Sequence, residues 1–110
     1  MEKEYHKLVR DRIPEIIRQS GNECDFVILS DPEYRQALRQ KLIEEATEVA
    51  EADKDNLVAE LADLYEVIDA LMLSYGISGD RVLNAQAKRR ETRGGFTKKI
   101  MLLRTKKPGF

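Results

Sequence analysis

Hydrophobic positions recur every three or four residues through most of the chain, which is the spacing of an α-helix. The pattern predicts two long helices, one from about Pro32 to Ala52 and one from about Asn56 to Tyr75. Ser30 or Asp31 is placed to cap the start of the first helix, and Gly76 is placed to stop the second. Most of the chain is therefore expected to be helical.

Shorter elements flank these two helices. We predict a short helix from Pro14 to about Arg18 and a further helix over residues 78–93, which Gly94 and Gly95 end. Apolar runs at 25–29 and 96–104 predict short strands. The expected fold is mostly α: a helical hairpin plus a third helix forming an oligomeric bundle, with one or two short β-strands near the termini.

An acidic residue interrupts the apolar face of the first long helix. At about 100° per residue, that face consists of Leu38, Leu42, Ala46 and Val49. Glu45 falls inside this face, and Glu48 lies at its edge. A carboxylate that faces a protein core costs several kcal/mol unless another group compensates it. The sequence therefore predicts a compensating group near Glu45.

The second long helix repeats the anomaly. Its apolar face consists of Leu57, Leu61, Leu64, Ile68, Leu71 and Tyr75. Glu60 falls within this face, and Asp63 lies at its edge. In each helix the two acids are three residues apart, so both carboxylates point to one side of the helix.

A short connection makes the two helices antiparallel neighbours, in which residues equidistant from the turn lie level. Glu48 and Glu60 are each six residues from Lys54, and Glu45 and Asp63 are each nine residues from it. The sequence therefore predicts that these four carboxylates converge at one site.

Four like charges in a partly apolar site repel one another, and a divalent cation relieves that repulsion. A set of ligands made only of oxygen favours Mg²⁺, with Mn²⁺ as the other candidate. The single histidine, His6, is far from the hairpin in sequence, which disfavours a zinc site or a di-iron site. The alternative is that the acids are solvated or paired with lysine and arginine, as in most glutamate-rich helices.

Composition narrows the class of protein. The 110 residues suit one domain over 1–110, with 42% hydrophobic and 35% charged residues. A formal net charge of −1 argues against general nucleic-acid binding. The lone Cys24 excludes an intrachain disulfide and fits a reducing compartment. With no apolar signal-peptide core and no membrane-span pattern, we expect a soluble cytoplasmic protein that binds neither nucleic acid nor membrane.

Three motifs, a paired-acid motif and two flanking segments, resemble a known family. "EEATE" (44–48) followed by "ELAD" (60–63) resembles the EExxE…ExxD pattern of the MazG-like all-α nucleoside triphosphate pyrophosphohydrolases. The opening "YHKLVRDRIPEII" and the late "KRRETRGGF" are similar to a branch of that superfamily described as phosphoribosyl-ATP pyrophosphohydrolase-like. The resemblance covers most of the chain.

The resemblance implies a helical protein that forms a homodimer or homotetramer. It also implies Mg²⁺-dependent cleavage between the α- and β-phosphates of a nucleotide, giving a nucleoside monophosphate and pyrophosphate. By position, Glu45, Glu48, Glu60 and Asp63 would be the metal ligands. Glu44 and Glu45 would be the catalytic acids, with Glu44 orienting water from beyond the ligands.

Basic groups are needed to hold the remainder of a polyphosphate. The late "KRRETR" supplies several, although the same cations can simply complement the dipole at a helix end. The resemblance also implies that an asparagine or a basic residue after the second acidic helix binds the substrate. The predicted phosphate-binding residues are Asn84, Lys88, Arg89 and Arg93. Lys7, Arg10 and Asp11 are left open between a place at this site, an oligomer contact and a surface ion-pair network.

Three functions remain in competition. The first is hydrolysis of nucleoside triphosphates, including non-standard ones. The second is the phosphoribosyl-ATP pyrophosphohydrolase step of histidine biosynthesis, which needs the same cut between phosphates. The third is a non-catalytic helical interaction module whose acids are structural. We also expect a second subunit, because one acidic hairpin and one further helix offer little wall for a nucleotide base.

Overall fold

A computed structural model describes residues 2–108, and the chain divides into two compact units, Met1–Ser78 and Gly79–Phe110. The first unit contains helices α1 (Ile13–Gln19), α2 (Asp31–Glu51) and α3 (Leu57–Ser74), and the second contains α4 (Gly79–Arg93). The predicted mostly α fold is confirmed. A single domain over 1–110 stays a prediction. Among the described residues, no helix combines the length and the apolar character needed to cross a bilayer.

The start of α2 is fixed by a reciprocal cap, as the sequence predicts. The Ser30 side chain accepts a hydrogen bond from the Glu33 backbone N–H, and the Glu33 carboxylate accepts one from the Ser30 backbone N–H. These bonds satisfy N–H groups that have no partner within the helix. Pro32 occupies the first turn, where its missing N–H costs nothing.

The end of α3 depends on Gly76, whose φ of 66° lies in the left-handed region that favours glycine. The Gly76 N–H donates to the Leu73 carbonyl at 3.1 Å, and the Ile77 N–H donates to the Met72 carbonyl at 2.9 Å. This pair of bonds is a Schellman motif, which satisfies the last carbonyls of the helix. The predicted stop at Gly76 is confirmed.

Helices α2 and α3 form an antiparallel hairpin joined by residues 52–56. In the connection, the Asp53 carboxylate accepts a hydrogen bond from the Asn56 backbone N–H at 3.0 Å. At the opposite end, Arg35 near the start of α2 donates from Nε to the Ser74 carbonyl at 3.1 Å. The hairpin is therefore tied at both ends.

The interior of the hairpin is small. Leu38 and Val67, at 2% and 8% exposure, are the buried hydrophobic residues among those described. The face of α3 that meets α2 is centred on Val67 and Glu60, whereas Leu61 and Tyr65 are 38% and 67% exposed. The predicted face of α3 is therefore only partly correct. Because α3 is apolar around more than half of its circumference, periodicity alone did not indicate which flank packs against α2.

The two predicted strands are not confirmed. Within residues 2–108 there is no strand, and both 25–29 and 96–104 lack regular structure. Their apolar side chains are exposed; Val27, Ile28 and Leu103 are 78%, 88% and 87% accessible. An apolar run forms a strand only when a neighbour pairs with its backbone groups, and composition does not supply that neighbour.

Substituting Leu38 tests whether this small interior holds the hairpin together. We expect Leu38→Ala to lower the free energy of unfolding by about 2–5 kcal/mol, since it removes buried methyl groups and leaves a cavity. Urea denaturation measures the change. The control is Ile43→Ala on the same helix, where the side chain is 68% exposed and we expect a change within about 0.5 kcal/mol. Equal losses in the two variants would contradict this description of the core.

Candidate metal centre

Five carboxylates meet at the middle of the hairpin. On α2, Glu44, Glu45 and Glu48 each offer a ligand oxygen within 4.8 Å of the others. Across the two helices, Glu45, Glu60 and Asp63 do the same. Glu45 belongs to both groups and joins them into one cluster. The four carboxylates that the sequence predicts to be level are therefore brought together, and their role as ligands stays a prediction.

Glu45 is the most deeply placed member of the cluster. It is only 7% exposed, which confirms that it faces the interior. Its Oε1 lies 3.4 Å from Lys41 Nζ, whereas its Oε2 is buried with no hydrogen-bond partner in the described residues. Glu60 Oε2 is buried in the same way. Two carboxylate oxygens of the cluster, one on each helix, are therefore buried without a hydrogen-bond partner among the described residues.

The cluster fits a hard divalent cation. All candidate ligands are carboxylate oxygens, which Mg²⁺ and Mn²⁺ prefer. Opposite ligand oxygens of a bound Mg²⁺ lie about 4.2 Å apart, twice its usual bond length, so a separation within 4.8 Å needs only small side-chain adjustments. A cation would also compensate the two buried oxygens that have no hydrogen-bond partner among the described residues.

The surroundings of Glu60 disfavour its charged form. Desolvation, followed by a hydrogen bond and charge repulsion from Glu48, raises the pKa of Glu60 above its ordinary value, and the charges of Asp63 and Glu45 act in the same direction. Protonation of Glu60 thus favours the folded chain. The resulting stability is complete below the pKa of the unfolded state and is lost as the pH rises through the pKa of the folded state.

Glu44 behaves in the opposite way. Desolvation acts to raise the pKa of Glu44, but hydrogen bonds and attraction from Lys7 and Lys41 outweigh it, so the pKa is lowered. The Lys7 Nζ lies 3.2 Å from one oxygen of Glu44, and Lys41 Nζ lies 3.3 Å from the other. Glu44 therefore remains an ionised carboxylate held in place by two cations.

Among the described residues, three cations form ion pairs with the cluster, and one of them, Lys41, is not among the residues predicted from the sequence. Lys41 is four residues before Glu45, and this spacing favours an ion pair on a helix. The spacing is the sequence feature that could have predicted the contact. Lys7, whose role the sequence leaves open, forms an ion pair with Glu44. Arg10, also left open, donates from Nη2 to Asp63 at 2.7 Å. These two contacts span 37 and 53 residues in sequence, so no local pattern predicts them.

The predicted phosphate-binding residues all lie on α4, in the second unit, and all are exposed. Residues four apart on a helix share a face. Asn84 and Lys88 therefore share one face of α4, and Arg89 and Arg93 share another. Their role in binding phosphate stays a prediction.

Comparison with known proteins shows which family the chain resembles. A family model described as phosphoribosyl-ATP pyrophosphohydrolase matches residues 3–90, a span that includes all five carboxylates. An uncharacterized protein of Mycolicibacterium smegmatis is 55% identical over 47 residues, which are 43% of this chain and 48% of that protein. The chain thus covers about half the length of this relative. No solved structure matches the chain.

Neutralising Glu60 tests the cluster without any assay of activity. At pH 7 in EDTA, we expect Glu60→Gln to melt at a higher temperature than wild type, because it removes one of several repelling charges. The same variant should lose most of the rise in melting temperature that Mg²⁺ gives wild type. Thermal melting followed by circular dichroism measures both effects.

The control for this experiment is Asp69→Asn, an equal change of charge at an exposed position of α3. It should keep the response to Mg²⁺ that wild type shows. A Glu60→Gln protein that melts lower than wild type in EDTA, or that still responds fully to Mg²⁺, would contradict the cation site.

Proposed function

Because the chain belongs to the phosphoribosyl-ATP pyrophosphohydrolase family, within the MazG-like superfamily, we propose that it is a metal-dependent nucleotide pyrophosphohydrolase. It cleaves the bond between the α- and β-phosphates and releases a nucleoside monophosphate and pyrophosphate. The observation that carries this proposal is a pair of buried oxygens in an all-carboxylate cluster, Glu45 Oε2 and Glu60 Oε2. Neither has a hydrogen-bond partner in the part of the chain that the structure describes.

Glu45, Glu48, Glu60 and Asp63 would hold Mg²⁺, or Mn²⁺ in its place. When bound, such an ion neutralises charge on phosphate oxygens and lowers the pKa of a coordinated water. The two helices that carry these residues are packed against each other over their length. Ligands on packed helices keep their separation during a reaction better than ligands on loops.

The chemistry requires a water molecule to attack phosphorus. The water oxygen forms a bond to the α-phosphorus, the bond from that phosphorus to the bridging oxygen breaks, and pyrophosphate leaves with the electron pair. The proton that the water loses passes to a carboxylate of the cluster. Glu44 and Glu45 orient the water, and Glu44 suits this role because Lys7 and Lys41 fix both of its oxygens.

The substrate we propose is a nucleoside triphosphate, including non-standard ones, with Asn84, Lys88, Arg89 and Arg93 binding its phosphates. Phosphoribosyl-ATP is the second candidate, and the description of the matching family favours it. Both compounds contain the same bond between phosphates, so the acid cluster serves either of them. A third function, a non-catalytic interaction module, predicts neither a response to Mg²⁺ nor turnover.

We also propose that two or more copies of the chain assemble, as a homodimer or a homotetramer. Leu61, Leu64, Tyr65 and Ile68 line an apolar groove along α3. Their spacing is typical of a seam between helices. The described residues bury only two hydrophobic side chains, and small domains with so little core gain stability by association.

Sedimentation velocity tests this assembly. We expect wild type to sediment as a dimer or tetramer at micromolar concentration, and Tyr65→Glu to sediment as a monomer, because a charge in an apolar interface is costly to bury. The control is Leu73→Glu, which lies outside the groove on the same helix and is 82% exposed. Monomeric wild type would contradict the proposed assembly.

Loss of one carboxylate tests the reaction itself. We expect Mg²⁺-dependent release of pyrophosphate from a panel of nucleoside triphosphates and phosphoribosyl-ATP, and a loss of about 100-fold or more in Glu48→Gln. EDTA should abolish release by wild type. The substrate that is cleaved fastest decides between the two candidates.

The matched control is Glu51→Gln, one turn further along α2 at an exposed position. It should retain activity, because Glu51 is outside the cluster. If no substrate is cleaved and Mg²⁺ leaves the melting temperature unchanged, the interaction-module alternative replaces this proposal.

A further inference from the structure

The N-terminal segment crosses the acid cluster and contacts both of its helices. Lys7 pairs with Glu44 on α2 at 3.2 Å, and three residues later Arg10 pairs with Asp63 on α3 at 2.7 Å. Residues 7–10 have no helical or strand structure of their own. These two contacts, which span 37 and 53 residues in sequence, are therefore made with two carboxylates of the cluster.

The charges around the cluster show what the segment supplies. Five carboxylates lie together, and within residues 2–108 the cations in ion pairs with them are Lys7, Arg10 and Lys41. One divalent ion would bring these formal charges to zero. Without the two N-terminal cations, the same site would keep two negative charges and would repel a polyphosphate.

The two side chains are also placed to do more than pair with acids. The Lys7 and Arg10 side chains are 47% and 56% exposed, in contrast to Lys41 at 19%. Arg10 forms one short bond through Nη2, and its Nη1 lies 4.0 Å from Glu66. A guanidinium has five donors in a planar fork, so Arg10 retains donors that suit a phosphate.

We propose that Lys7 and Arg10 are phosphate-binding residues of this site, held at the metal centre by their ion pairs with Glu44 and Asp63. The inference deepens the proposed function and rests on it. A cation bound at Asp63 and the guanidinium of Arg10 attract the same carboxylate. Arg10 therefore competes with the metal for Asp63 while it attracts the phosphates that accompany the metal.

This arrangement predicts that removing Arg10 changes the affinity for Mg²⁺ and the affinity for phosphate in different ways. Removing Arg10 should leave Mg²⁺ affinity unchanged or increase it, because a competing positive charge is gone. It should weaken binding of a phosphate ligand by about 10- to 100-fold, the effect of one charge-assisted hydrogen bond. A segment that only anchors the fold would weaken both affinities together or neither.

Isothermal titration calorimetry on the full chain measures the two affinities separately. Mg²⁺ is titrated alone, and inorganic pyrophosphate is then titrated at saturating Mg²⁺, for wild type, Arg10→Ala, Arg10→Lys and Lys7→Ala. We expect Arg10→Ala and Lys7→Ala to lose pyrophosphate affinity and keep Mg²⁺ affinity. Arg10→Lys should recover part of the loss, since it restores the charge without the fork.

Arg12→Ala is the matched control. Arg12 lies two residues after Arg10, at the start of α1, and pairs with Glu15 at 3.2 Å rather than with the cluster, so both affinities should match wild type. Circular dichroism under the titration conditions confirms that each variant is folded. An Arg10→Ala protein that melts lower in EDTA but recovers with Mg²⁺ remains a valid test, because the affinities are read in its folded form.

The results separate this inference from the proposed function. If wild type binds pyrophosphate with Mg²⁺ and both alanine variants bind it equally well, the inference is overturned and the proposed function stands. If Arg10→Ala weakens Mg²⁺ and pyrophosphate binding alike, Arg10 is a structural anchor, which also overturns the inference. If wild type binds neither Mg²⁺ nor pyrophosphate, both proposals are wrong.

Discussion

The Glu45 carboxylate lies in the interior of a two-helix hairpin, where its burial costs free energy that neighbouring groups must compensate. Leu38, two turns earlier on the same face of α2, is only 2% exposed. The packing that buries Leu38 therefore also buries Glu45. Lys41 contacts one oxygen of Glu45, and the other oxygen is buried with no hydrogen-bond partner among the described residues. Stability and the candidate site share one interface.

This shared interface links the size of the core, the charges of the acids and the expected binding of a metal. The apolar interior is small, and burial together with repulsion from the neighbouring carboxylates raises the pKa of Glu60. A ligand that binds only the folded chain adds stability in proportion to its concentration over its dissociation constant. Metal binding, association of subunits and folding are consequently expected to support one another, because each compensates a weakness of the isolated hairpin.

Local patterns predicted the parts of the structure that local forces determine. The cap at Ser30, the stop at Gly76 and the inward position of Glu45 each depend on neighbours within a turn or two. The convergence of the acids followed from one further step, the short antiparallel connection. The apolar runs at 25–29 and 96–104 predicted strands incorrectly, because a strand needs a partner that composition does not reveal. The ion pairs of the N-terminal segment depend on contacts distant in sequence, and no periodicity encodes them.

The two kinds of charge in the cluster come from different kinds of structure, and this difference bears on how a substrate would bind. The carboxylates are fixed on α2 and α3, whose packing sets their separations. Two of the three cations come from a segment without regular structure, and their side chains are half exposed. A metal requires ligands at fixed distances, whereas a flexible polyphosphate is best met by long side chains that adjust to it. Rigid acids and adjustable cations are therefore what a site that joins a metal to a phosphate chain requires.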